Sequence, residues 1–213
     1  MLHNKKLLCA LAFVVAYSAP LLHSKNPFRR GLLAKLPQWN SENRESAHEL
    51  WHNVHAVEEG KLYRSHQLSP TVLTHFMQKY GIKTVLNLRG PQPDVAWWEA
   101  EKAAVNANGA AYFNLPMSAT AMTPKWILQE MLQIFDTAQL PIMIHCQGGA
   151  DRTGEAAAIW IMEKMAGSKK DALAALSWRY WHIACPNKDA LIKAWGGRKW
   201  LEEEYFVGCE NNS

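Results

Sequence analysis

The sequence is poor in cysteine: Cys9, Cys146, Cys185 and Cys209 are the only four in 213 residues, and they stand far apart. That excludes a disulfide framework and any zinc site built on closely spaced thiols. Cys185 and Cys209 are expected as inert thiols, with a pairing between them left open for an exported domain. There is no internal repeat, no long Lys/Arg run and no collagen-like or disordered bias. The formal net charge of +4 is too small and too scattered for a nucleic-acid binder, although it favours the approach of an anionic substrate. His48, His52 and His55 have a helical spacing, but no cysteine or acidic partner accompanies them. They are read as a solvated or packing face, and no metal or other cofactor is assigned.

No apolar run has the length of a comfortable membrane span, which wants about 20 residues. The nearest is 7–22, uncharged and mostly apolar, preceded by Lys5 and Lys6. A basic start before an apolar run is the form of an export signal. Ala-Tyr-Ser-Ala at 16–19 resembles a cleavage site, and Pro20 would hinder cutting there. Residues 1–24 are therefore expected to be a signal peptide or membrane anchor, with membrane attachment through 7–22 in the second case. Residues 25–50, rich in proline, basic and polar side chains without period, read as a linker or arm. One domain is expected over 51–208.

Within that domain the pattern alternates. Strands are expected at 61–65, 84–88, 111–115 and 141–145, and helices at about 70–80, 95–108, 124–138, 151–166, 169–183 and 188–206, the last interrupted at Gly196-Gly197. Ser69-Pro70 and Thr123-Pro124 look like helix starts, with the hydroxyl residue as cap and proline in the first turn. Such an order implies an α/β fold, a central and mainly parallel sheet flanked by helices. Ligands in such sheets bind beyond the carboxyl ends of the strands.

The residues just past the last strand carry the chemistry. His145-Cys-Gln-Gly-Gly-Ala-Asp-Arg-Thr-Gly154 lies between an apolar strand and a helix. Gly148 and Gly149 allow a tight turn that aims backbone N–H groups inward, and the helix points its positive end at the same spot. A cysteine in that field is expected to ionise well below the usual thiol value of about 8.5. Arg152 can grip two oxygens of a phosphate with its planar fork, and Thr153 can donate its hydroxyl to the sulfur.

This run, His-Cys, five residues, then Arg-Thr-Gly, resembles the signature loop of the protein tyrosine phosphatase superfamily, its dual-specificity branch above all. Leu62-Tyr63-Arg64-Ser65, Gln67-Leu68 and the segment from Gly81 to Arg89 are similar to bacterial dual-specificity-like phosphatases and their plant relatives. The resemblance implies a dual-specificity-type fold and a phosphocysteine intermediate on Cys146. It further implies that Arg152 binds phosphate, that Thr153 assists hydrolysis and that His145 holds the loop and helps ionise the thiol. Gln147, Gly148, Gly149, Ala150 and Gly154 would line the phosphate, with Arg89 at the rim or in a structural ion pair. Together with the 1–24 leader, the bacterial likeness leads to the expectation of an exported or membrane-anchored domain, in the periplasm or on the inner membrane.

One expected group is missing. In most relatives an aspartate some thirty residues before the cysteine protonates the leaving group, yet 102–129 contains neither Asp nor Glu. Asp151, inside the loop, is the replacement candidate, as in myotubularin-type lipid phosphatases and certain secreted bacterial phosphatases that carry Asp-Arg-Thr. Its bland alternative is to pair with a neighbouring basic group or cap the next helix. Asp94 is the reserve. Substrates left open are a phosphorylated protein, a lipid such as a phosphoinositide, or a small ester. The loop positions 147–150 hold no base, which speaks against a highly charged lipid head group. Two other functions compete: a phosphate-binding module with little turnover, and a rhodanese-type sulfur transferase, which would not need the Arg-Thr-Gly continuation.

Overall fold

A computed structural model describes residues 48–183 and 185–207. The 7–22 run, Cys9 and Cys209 lie outside them. Among the described residues no helix is long and apolar enough to cross a membrane.

From His52 onward the chain forms one unit around a five-stranded sheet, β1 (His55–Glu58), β2 (Leu62–Ser65), β3 (Thr84–Asn87), β4 (Ala111–Asn114) and β5 (Ile142–His145). The strand order is β1-β2-β5-β3-β4, antiparallel between β1 and β2 and parallel elsewhere. β5 is therefore central, and the register pairs Ser65 and Asn87 with His145 on its two sides. Three strands end level, so their following loops open at one edge.

Alternation along each strand splits the core between two faces. Leu62, Leu86, Ile142 and Ile144 face α3 (Lys125–Thr137), α4 (Asp151–Lys164), α6 (Pro186–Ala194) and α7 (Arg198–Glu203). Tyr63, Val85 and Met143 face α1 (Pro70–Tyr80) and α2 (Ala96–Ala107). α1 starts as its sequence predicts: the Ser69 hydroxyl accepts from Val72 N–H, and Pro70 occupies the first turn. It buries Leu73, Phe76 and Met77, the stripe expected of a helix on a sheet.

Several expectations need correction. β1 shows no apolar alternation because it is a half-covered edge strand, and its residues gave no signal. It includes His55, so the helical histidine spacing is not realised: His55 meets Asn53 and the Tyr180 ring, while His52 pairs with His66 at 3.0 Å. The helix expected over 169–183 stops early. α5 (Lys169–Ala174) is followed by a 3₁₀ turn (Trp178–Tyr180) and by Trp181 in the left-handed region, φ 65. The Ala175 carbonyl, which would continue the helix, is taken by Arg64. The cluster Trp178, Trp181, Trp195 and Trp200, which the sequence suggests as core packing, divides: Trp195 is buried against Trp200, whereas Trp178 is 77% exposed and Trp181 about half.

Thr123 does not cap α3. Pro124 occupies the cap position, and Thr123 is buried with its hydroxyl accepting from Lys188 Nζ at 2.8 Å. Lys188 also lies 2.7 Å from Glu155 Oε2, and both side chains are fully buried. Burial pushes the Glu155 carboxyl up, against the pull of the Lys188 ammonium and the Thr123 hydroxyl. This pair ties α6 to α4 and to the start of α3. Removing one partner strands a charge in the core, so Lys188→Met is expected to cost about 3–5 kcal/mol in urea unfolding. Lys188→Met with Glu155→Leu should recover most of that loss; a double variant as unstable as the single would show that the pair itself holds the fold.

Candidate active site

The loop 146–150 joins the central strand β5 to α4, at the edge where the strands end level. Its carbonyls are held from outside. Gln147 O accepts from Gln67 N–H at 3.1 Å, Gly148 O from Asn53 Nδ2 at 3.3 Å, and Gly149 O from Arg64 Nη2 at 2.8 Å. In a trans peptide the next N–H points opposite to the carbonyl. Three outward carbonyls therefore turn the N–H groups of Gly148, Gly149 and Ala150 inward, toward the start of α4. That is an anion nest with a helix N-terminus behind it.

Glycine is required at one of the two expected positions. Gly149 has φ 68, and a Cβ there would lie 2.6 Å from the Ser65 carbonyl oxygen. Gly148 has open space around it and no left-handed backbone, so it is not forced by the turn. Gly154 matters for another reason: a Cβ would meet Leu176 at 2.7 Å, so α4 packs against the 175–176 segment only without a side chain.

Cys146 is buried at the mouth of this loop, 3% exposed. Thr153 Oγ1, Ser65 Oγ and Arg152 Nε are buried and find no partner among the described residues, leaving hydrogen-bonding groups for a ligand. Arg152 reaches across to the Met117 carbonyl at 3.5 Å. Arg64 is nearly fully buried. Burial pushes its guanidinium down to about 10, while Tyr180 and Cys146 pull it back. It remains a cation at neutral pH, close enough to Cys146 for the two side chains to interact. Arg89 makes no ion pair among the described contacts; it donates to Gln67 Oε1 at 3.0 Å and stacks on Trp97. Burial, and then the charge of Arg152, push it below its usual value, so two guanidinium groups share one side of the site.

Beneath the loop, His145 Nε2 lies 3.0 Å from Glu101 Oε1, and its Nδ1 faces the Cys146 carbonyl at 3.4 Å. Glu101 also accepts from Tyr112 Oη at 2.6 Å and from Gln67. Burial raises its carboxyl, but the facing His145 and these donors outweigh that and hold it below the ordinary value. One carboxylate thus orients both His145 and the Gln67 that holds Arg89.

The 116–122 segment, where an acid was sought, is anchored instead. Ala119 O accepts from the Cys185 thiol and Thr120 O from Asn187 Nδ2 at 2.9 Å. Asp151 sits at the first turn of α4 with its side chain 37% exposed, and His182 Nδ1 lies 2.7 Å from its Oδ1. The pairing with a basic group is therefore real. Asp94 is exposed in the turn before α2, with φ 68.

Cys146, Arg152, Asp151 and Thr153 come together on the loop and first helical turn, with Arg89 beside them. Sequence reasoning missed the supports Asn53, Arg64, Gln67, Glu101 and His182. Arg64 carried a signal, a charge inside an otherwise buried strand; Glu101, on a helix with neighbours of both signs, carried none.

A family model described as DSP-PTPase phosphatase fused to NAD+ kinase matches residues 33–189. No curated protein matches the sequence. Among solved structures, the catalytic domain of the PP-IP phosphatase Siw14 from S. cerevisiae, in complex with citrate, is similar with TM-score 0.59 and 21% identity, over 69% of this chain and 87% of that one. A cysteine-to-serine variant of P. aeruginosa TpbA in complex with pTyr is similar with TM-score 0.54 and 19% identity, over 68% and 85%. A putative phosphatase from Shewanella putrefaciens CN-32 is similar with TM-score 0.54 and 14% identity, over 67% and 89%. At these identities the likeness is one of fold.

Lysine cannot span the two carbonyls that Arg64 joins, nor stack as it does on Tyr180, 4.0 Å away. Arg64→Lys is expected to weaken vanadate binding about 10-fold and to cost about 2–3 kcal/mol of stability. Tryptophan-fluorescence titration and urea unfolding read the two effects; unchanged vanadate affinity would show that Gly149 keeps its place without Arg64.

Proposed function

Because the chain belongs to the DSP-PTPase phosphatase family, we propose that it hydrolyses phosphate monoesters in two steps, with Cys146 as nucleophile and Asp151 as acid. The observation that carries this reading is the loop itself: outward carbonyls, a buried Cys146 at the sheet centre, and unpartnered groups on Thr153, Ser65 and Arg152 around it. In the first step the Cys146 thiolate attacks phosphorus, the ester P–O bond breaks, and Asp151 gives its proton to the leaving oxygen. Backbone N–H groups and Arg152 hold the three remaining oxygens. In the second, water attacks the phosphocysteine, Asp151 takes its proton, and the sulfur leaves with the Thr153 hydroxyl as donor, releasing phosphate.

Asp151 is the acid in this scheme for two reasons. The 116–122 segment has no carboxylate and is pinned by Cys185 and Asn187. Asp151 stands one residue before Arg152 with its side chain partly open. The pair Arg89 and Arg152 suits a substrate that carries a second anionic group near its phosphate, whether phosphopeptide, lipid head group or small ester. The same fold is described as a PP-IP phosphatase in Siw14 and holds pTyr in TpbA.

The test is p-nitrophenyl phosphate turnover by the full chain under reducing conditions. Cys146→Ser is expected to abolish it, and residual turnover at the parent rate would overturn the mechanism. Asp151→Asn is expected to slow phenyl phosphate about 10²–10³-fold, and p-nitrophenyl phosphate, whose leaving group needs little help, far less. Equal slowing of both would remove Asp151 from the acid role.

A further inference from the structure

His182 has no place in the scheme above, yet it is 5% exposed and lies between two carboxylates. Its Nδ1 is 2.7 Å from Asp151 Oδ1, and its Nε2 is 3.4 Å from Asp189 Oδ1. The segment that carries it is firmly placed. Asn53 Nδ2 holds the Tyr180 carbonyl, the His182 N–H donates to Ser177 O, and Lys188 anchors the start of α6 in the core. The same segment pins 116–122 through Cys185 and Asn187.

We propose that His182 is the positioning residue of the acid, aligning the Asp151 carboxyl for proton transfer while Asp189 holds the ring from behind. This rests on Asp151 being the acid. The Nδ1–H donates to Oδ1, which aligns the carboxyl group and leaves Oδ2, unpartnered among the described residues on a side chain that is 37% exposed, to carry the proton. As the S–P bond forms and the ester P–O bond breaks, that proton passes from Oδ2 to the leaving oxygen. The carboxylate left behind meets an N–H already in place, so the new charge is stabilised without rearrangement. His182 itself gains and loses no proton in the step. Asparagine at 182 keeps an N–H where Nδ1 stands; leucine keeps bulk and loses the donor.

A mere tether between α4 and the 182–189 segment would affect stability and slow every substrate alike. Positioning affects kcat in proportion to how much the leaving group needs a proton. The full chain is therefore assayed with phenyl phosphate and p-nitrophenyl phosphate, as parent, His182→Leu, His182→Asn, Asp151→Asn and the double variant His182→Leu/Asp151→Asn. His182→Leu is expected to lower kcat for phenyl phosphate at least about 10-fold more than for p-nitrophenyl phosphate, with KM little changed. His182→Asn should restore the ratio to within about 3-fold of the parent, and the double variant should be no slower than Asp151→Asn alone. Equal slowing of both substrates by His182→Leu, or a further loss in the double variant, overturns the proposal. If His182→Leu does not fold, Asp189→Asn carries the test, expected to show the same substrate selectivity at about 3-fold; no selectivity there overturns it too. A selective Asp151→Asn with an unselective His182→Leu removes His182 alone, whereas an unselective Asp151→Asn removes the acid assignment beneath it.

Discussion

The site depends first on one buried cation. Arg64 sits in the middle of β2, inside the protein, and joins Gly149 O of the loop to Ala175 O beyond α5. A guanidinium is the side chain that can do this: its planar fork reaches two carbonyls 2.8 Å away while a face lies over Tyr180. Two consequences follow from the same contact. The loop carbonyl is pulled outward, which turns the following N–H inward, and the helix ahead of the 3₁₀ turn is cut short. Shortening that helix is what frees 177–182 to fold back, so that His182 arrives beside Asp151. The geometry of the nest and the placement of His182 share a cause.

The second constraint is the anchoring of 116–122. A loop that supplies an acid needs both a carboxylate and freedom to close; this one has neither the residue nor slack, being held at Ala119 and Thr120. In the proposed scheme, an acid at Asp151 removes the need for such motion. It also puts a carboxylate in the first turn of α4, where the helix end favours negative charge. In the arrangement proposed for His182, a ring N–H at Oδ1 keeps the group aligned through the proton transfer.

The main architecture was legible because it rests on local pattern. Apolar runs at 84–88 and 141–145, the Ser69-Pro70 start and the breaks at Gly81 and Gly196-Gly197 all act through neighbours in sequence. The loop at 145–154 was legible from the apolar strand before it, its glycines and the helix after it, together with the resemblance of His-Cys, five residues, Arg-Thr-Gly to a known signature loop. What escaped were contacts across long separations. Glu101 reads as a helix-surface carboxylate and is buried only because His145, Tyr112 and Gln67 converge on it. Thr123 reads as a cap until Lys188, 65 positions away, claims its hydroxyl. For Asp151, catalysis and pairing with a base were both open; the structure shows the pairing, with His182 Nδ1 2.7 Å from Oδ1, and leaves the side chain partly exposed.

The loop is also costly to the fold, and the cost has a direction. Ser65 Oγ, Thr153 Oγ1 and Arg152 Nε are buried without partners among the described residues, and an unsatisfied buried polar group disfavours folding by about 1–3 kcal/mol. The cationic side of the site, where Arg89 and Arg152 repel each other, adds to it. Each of these terms is relieved by the same thing, a compact anion with several acceptor oxygens. The unfolded chain has no such arrangement, so the anion binds the native state alone and stabilises it by mass action. The cost of those buried groups and affinity for such an anion are in that sense one quantity seen from two sides. The buried network around the loop, Arg64 above all, holds its carbonyls outward.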